Sequence, residues 1–166
     1  MSGKAAGVAG RVRAYRILKR KFVGTAFSGE GSRLYGGRWN SKGVAVIYVS
    51  GALSLAILEW RVHLTQWPGP PSVIIEIEFD PSSIWAPAKL PPHWQRYPSP
   101  KANAAVGDNW VASGRSAVLK LPSAIVPDES NYLLNPTHPD FKKITIGKPR
   151  LFKADPRLGA IGPDTP

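Results

Sequence analysis

The stretch 28–40, Ser-Gly-Glu-Gly-Ser-Arg-Leu-Tyr-Gly-Gly-Arg-Trp-Asn, sets two arginines, a tyrosine and a tryptophan among four glycines. Glycine reaches backbone angles closed to other residues and lets a ligand approach the main chain, while a guanidinium presents a planar fork of donors that matches phosphate. The segment reads as an open binding loop, with Arg38 and Tyr35 as its candidate contacts. A second chemical group is Glu59, the one acid between Glu30 and Glu76. Two readings of it stand side by side. It is either a helix glutamate paired with Arg61 or His63, or a carboxylate kept charged between Leu58 and Trp60 at a site of lowered dielectric.

The elements that must position these groups follow from local pattern. Arg13–Phe22 reads as a first strand or extended arm, and Val44–Val49 as a buried β-branched strand. A helix then opens near Ser50, capped by Ser50 or Ser54. Leu53, Ala56, Ile57, Trp60 and Leu64 recur at helical spacing, so the helix runs to about His63 and carries Glu59. Trp67-Pro-Gly-Pro-Pro71 stops it, and Ser72–Phe79 alternates apolar with acidic residues as a half-exposed strand. Pro81–Pro100 reads as a surface loop or short helix anchored by Trp85 and Trp94. A helix is expected at Asn103–Ser113, strands at Ala117–Leu121, Ile144–Ile146 and Arg150–Phe152, and a turn into a further strand at Ser123–Val126. The sum is α+β: one compact domain over 11–158, with a loose lead at 1–10 and a frayed tail at 159–166.

With 166 residues and 43% hydrophobic content the chain can bury a core. It has no cysteine, and His63, His93 and His138 lack metal-ligand spacing, so neither thiol chemistry nor a metal site is expected. No signal peptide or membrane-length apolar run is seen, which makes the expected location cytoplasmic. The net charge is +11, of which residues 1–60 carry +8 and residues 61–166 carry +3. Three readings of that asymmetry are open: nucleic-acid binding, attraction of a phosphorylated small molecule, or docking of an acidic protein partner. A solubilising tail at Arg11–Lys21 is the plain alternative.

Taken in order, Arg16, the Gly-Glu-Gly…Tyr-Gly-Gly-Arg-Trp-Asn stretch, Ile-Tyr-Val with Tyr48, the helix with Glu59, Leu-Pro-Ser with Ser123, Leu-Leu-Asn-Pro…His-Pro at 133–139 and Arg157-Leu158 resemble the RES-domain toxins of bacterial toxin–antitoxin pairs. The resemblance implies a fold similar to the ADP-ribosyltransferases, with a mixed β core and short helices. It implies that NAD is consumed as a substrate, by cleavage of the nicotinamide–ribose bond or by transfer of ADP-ribose to a protein. It also implies a cognate antitoxin with a helix-turn-helix domain.

On that resemblance Glu59 and Arg38 are the catalytic candidates. Glu59 would stabilise an oxocarbenium-like transition state. Arg16 and Arg38 would hold the pyrophosphate, though surface arginine is the ordinary reading of both. Tyr35 and Tyr48 would stack on a ring of the ligand, against the reading of Tyr48 as core. Ser123, in a turn after Pro122, would bond a ribose, a phosphate or Glu59; no Gly-x-Ser-x-Gly elbow makes it a nucleophile. Asn135, before Pro136, would touch the ligand or fix the turn. No Gly-x-Gly-x-x-Gly fingerprint follows Gly29-Glu-Gly31, so hydride transfer is not indicated. The alternatives are a basic nucleic-acid-binding module built on Arg11–Lys21, and an inactive relative that serves only as an antitoxin's partner.

Overall fold

The structure, a computed structural model, describes residues 10–159, so the expected lead and tail lie outside the described residues apart from Gly10 and Gly159. Apolar and β-branched runs become β1 (Val12–Lys19), β2 (Ile47–Ser50) and β3 (Ser72–Phe79). Helices α1 (Glu30–Tyr35) and α2 (Leu53–Val62) flank β2 in sequence. After a short β4 (Ile84–Trp85) come α3 (Lys101–Ser113), β5 (Val118–Pro122), β6 (Ser130–Leu134), β7 (Thr145–Ile146) and β8 (Arg150–Phe152). Among the described residues no helix is long and apolar enough to cross a membrane.

The strands form one mixed sheet in the order β4-β5-β6-β2-β1-β3-β7, with β8 also on β3. Neighbours are antiparallel except β4 and β5. The pairing is uneven. β1 pairs with β3 along its whole length, from Val12↔Phe79 to Lys19↔Ser72, and β2 pairs with β6 from Ile47↔Leu134 to Ser50↔Asn131. β1 and β2, however, register at Tyr15↔Ser50 alone among the described residues. The sheet is therefore two ladders joined at a seam, and beyond that one pair β1 and β2 diverge.

Alternation along the strands feeds apolar clusters on opposite faces, with a third, smaller one of Ala26, Val73 and Ile75. Ile47, Val49, Val118, Tyr132 and Leu134 enter one with Ala14, Ile77 and Phe79. Leu119, Leu121 and Leu133 enter the other with Trp39 and Trp110, and Tyr48 packs against them. Trp85 and Trp94 pack there too, as the anchors expected of them.

Several expectations are corrected. The glycine-rich stretch is not simply an open loop, because it holds α1 between Gly29 and Gly36, both at positive φ. Arg11–Lys21 is not a tail: most of it is β1, flanked by β2 and β3, and a 3-10 turn follows at Arg20–Thr25. The strand expected from Val44 begins at Ile47. The Ser32 hydroxyl bonds both the carbonyl and the N–H of Val46, which takes that residue out of the ladder. Ser50 ends β2 instead of capping α2, whose N-cap is Ala52 with no side-chain cap. A residue paired on both sides, to Tyr15 and Asn131, is held extended and has no freedom to cap.

Candidate active site

Leu55 and Ala56 bury the inward face of α2, and Glu59 follows them by four and three residues, so it lies on that face one turn later. Glu59 is half-buried. Its Oε1 accepts a hydrogen bond from Ser123 Oγ at 2.9 Å and another from Asn131 Nδ2 at 2.6 Å. Ser123 is fully buried. Its oxygen accepts from the N–H groups of Ile125 and Val126, so its proton is left to point at the carboxylate. Of the partners considered for Ser123, Glu59 is the one observed. Glu59 forms no ion pair among the described residues, while Arg61 donates through Nε to Leu158 O. Two neutral donors on one oxygen fix the carboxylate's direction and leave Oε2 without a hydrogen bond from any described residue.

Arg16 sits beside the seam, next to Tyr15, the residue that bridges to Ser50. Where the strands diverge, its Nη1 donates at 3.2 Å to the carbonyl of Tyr48. Its guanidinium lies over the Phe27 ring. Burial lowers the Arg16 pKa to about 10, no carboxylate pairs with it among the described residues, and its Nε is buried without a partner. A half-buried cation whose buried Nε has no partner and which has no counter-ion among the described residues suits an anionic ligand group. Tyr15, Ser50 and Asn131 stand on three adjacent strands, a span of about 10 Å.

The glycine-rich segment is occupied differently. Arg38 Nη1 donates to the carbonyls of Trp94 at 2.6 Å and Arg96 at 3.1 Å, tying down the segment between β4 and α3. The Tyr48 hydroxyl donates to Asn40 Oδ1 at 2.8 Å and accepts from Trp39 N–H at 3.0 Å. Burial pushes this phenol above its ordinary range, so it stays protonated as a donor. Gly37 is required beside it, since a Cβ there would stand 2.6 Å from the Tyr48 oxygen. Tyr35, at the end of α1, is 77% exposed and presents its ring to solvent. Asn135 lies beyond the far end of β6, roughly 13 Å along the strand from Asn131. Its Oδ1 accepts from the N–H and hydroxyl of Thr137, a turn-fixing arrangement.

The structure thus brings Glu59 and Ser123 together and sets Arg16 at the adjoining seam. Tyr48 connects Arg16 to the Asn40–Trp39 turn, while Arg38 bonds the carbonyls of Trp94 and Arg96, Asn135 bonds Thr137, and Tyr35 is exposed. Sequence reasoning missed Asn131 and passed over Asn40, whose Nδ2 donates to the carbonyls of Ser32, Ser41 and Val44. The available signal for Asn131 was a polar Ser-Asn pair opening the apolar strand Tyr-Leu-Leu.

Residues 13–155 match the model of the RES domain family. The chain is 38% identical over 148 residues to a Yersinia enterocolitica protein named Toxin Res, covering 87% of this chain and 97% of that one. It is 39% identical over 146 residues to a Sphingobium protein named Prs ADP-ribosylating toxin, covering 84% and 90%. Among solved structures, the MbcT–MbcA toxin–antitoxin complex of M. tuberculosis holds a chain of similar fold, with a TM-score of 0.68, 15% identity and coverage of 86% and 85%. With the family model spanning most of its length and relatives matched nearly end to end, this chain belongs to the RES domain family.

Proposed function

We propose that this chain is the toxin of a toxin–antitoxin pair and that it consumes NAD by breaking the nicotinamide–ribose bond. The relatives named as toxins, one of them as an ADP-ribosylating toxin, support the class of activity. The observation that carries the site is a carboxylate, Glu59, fixed by Ser123 and Asn131 and without a cation partner among the described residues, beside a seam where Arg16 has no acid partner among them. As the bond to nicotinamide lengthens, its electron pair leaves with the ring and positive charge grows on the ribose. Glu59 stabilises that charge, and Oε2 accepts from a sugar hydroxyl or from the incoming nucleophile. Ser123 is a positioning residue, and Arg16 binds phosphate. Arg38 acts through the segment it holds, and Tyr35 offers an exposed ring to the outer end of the ligand.

The test is incubation with NAD and detection of free nicotinamide. Release by the wild type and its loss in Glu59→Ala, with the fold retained by circular dichroism, is the expected result; equal release by both overturns the assignment. The products identify the acceptor: ADP-ribose for water, a phosphorylated ADP-ribose for phosphate, a modified polypeptide for a protein target. The partner assigned is a cytoplasmic antitoxin with a helix-turn-helix domain. An acidic segment of it fits the exposed Lys19, Arg20 and Lys21 beside Pro70 and Pro71. Reversing those three charges should abolish the complex in a pull-down without affecting nicotinamide release.

A further inference from the structure

The geometry points to Asn131 as the residue that reads a hydroxyl of the sugar joined to nicotinamide, through its side-chain oxygen. This inference rests on the reading of Glu59 given above and adds a contact that neither the family resemblance nor the relatives' names assign. Asn131 stands at the start of β6, opposite Ser50 of β2 and Leu121 of β5. Its amide reaches Glu59 Oε1 at 2.6 Å. A carboxylate engaged in this way only accepts, so the NH2 end of the amide must face Glu59 and the oxygen end must face away. That oxygen, Oδ1, is buried and has no hydrogen-bond partner among the described residues.

A buried amide oxygen without a donor is costly in a folded chain, and a ligand hydroxyl placed beside it would offset that cost. By covalent geometry Oδ1 lies within roughly 5 Å of the Glu59 carboxylate. Two neighbouring oxygens, Asn131 Oδ1 and Glu59 Oε2, therefore accept and do not donate. A ribose carries two adjacent hydroxyls, each able to donate one proton, and matches that pair. Phosphate oxygens have no such proton at neutral pH and are directed instead to Arg16. Asn131 thereby does two things at once. It holds the carboxylate in place, and it selects a ligand whose sugar keeps its hydroxyl.

The experiment is calorimetric binding to the full chain in the Glu59→Gln background, where bound NAD stays intact. Four ligands are compared: NAD, its analogues lacking the 2′- or the 3′-hydroxyl on the nicotinamide ribose, and the analogue with acetylpyridine in place of nicotinamide. With Asn131 present, loss of one of the two hydroxyls should weaken binding about tenfold, and with Asn131→Ala the same loss should cost less than about threefold. Asn131→Thr guards against a folding defect. Its hydroxyl can donate to the side-chain oxygen at position 59 and accept from a ligand hydroxyl at once, so it should keep more of the discrimination than Asn131→Ala does. Equal hydroxyl penalties with and without Asn131, or discrimination lost only with the acetylpyridine analogue, would overturn the assignment. If the Glu59→Gln chain binds NAD but these differences are missing, Asn131 alone is wrongly assigned. If neither NAD binding by that chain nor nicotinamide release by the wild type is seen, the reading of the whole site falls with it.

Discussion

Glu59 and Arg38 sit in regions that treat polar groups in opposite ways. Around Arg38, the guanidinium, the Tyr48 hydroxyl and the Asn40 amide are committed to protein partners, the buried Asn103 Oδ1 being the one exception among the described residues, and Gly37 and Gly107 leave no room for a Cβ against Tyr48 and Trp39. At the seam, among the described residues, a carboxylate lacks a cation, a guanidinium lacks an anion, and both Arg16 Nε and Asn131 Oδ1 are buried without partners. The first region uses its hydrogen-bonding capacity to hold the chain together. The second keeps capacity in reserve, which lowers stability until a ligand offsets the loss. Side chains of the same type, such as Arg16 and Arg38, are told apart by what they already bind.

Breaking the comparison at its strongest point means removing the reserved carboxylate. Glu59→Gln should lower nicotinamide release by about a thousandfold or more while thermal stability changes little, since its partners Ser123 and Asn131 can still donate to an amide oxygen. The next effect belongs to Arg16. Arg16→Met should weaken ADP-ribose binding by about ten- to a hundredfold in calorimetry, and Tm should hold or rise because an unpaired buried charge is removed. The sign follows from its lowered pKa. The penalty for keeping Arg16 charged in the fold is fully present below about pH 10 and is relieved as pH rises from there toward the ordinary arginine value. At neutral pH an anion beside Arg16 offsets the same penalty, so ADP-ribose should raise Tm of the wild type more than of Arg16→Met.

Substitutions in the other region should show the reverse signature. Tyr48→Phe leaves Asn40 Oδ1 without its donor and Trp39 N–H without its acceptor, and should cost about 1–3 kcal/mol in urea unfolding. Release of nicotinamide by the folded fraction should fall far less than in Glu59→Gln. Smallest of all, Asn135→Ala removes a turn-fixing acceptor and should cost about 1 kcal/mol, with activity per folded molecule unchanged. A loss of activity in Asn135→Ala as deep as that in Glu59→Gln would erase the distinction between reserved and committed groups.

Much of this was legible in local pattern. Apolar alternation marked β3, helical spacing marked α2 and the face that bears Glu59, and Trp67-Pro-Gly-Pro-Pro71 marked the stop between them, because each signal depends only on neighbours within a few residues. The glycine-rich stretch stood out in the sequence, but its local structure did not. Its glycines bracket a helical turn and admit close packing, and its Arg38 turns away to carbonyls some 56 residues on. Nothing in the spacing of residues shows that choice of partner.

By itself the sequence determined the element types, the family and the carriers of charge, since periodicity and motif order are local properties of the chain. Only the tertiary structure decided which of those charges stay unpaired. Ser123 and Asn131 reach Glu59 across 64 and 72 residues, and the divergence of β1 from β2 after one shared pair opens the gap that Arg16 fills. Such meetings depend on how strands order and splay in the sheet, and no window of sequence encodes a hydrogen bond to a residue outside it.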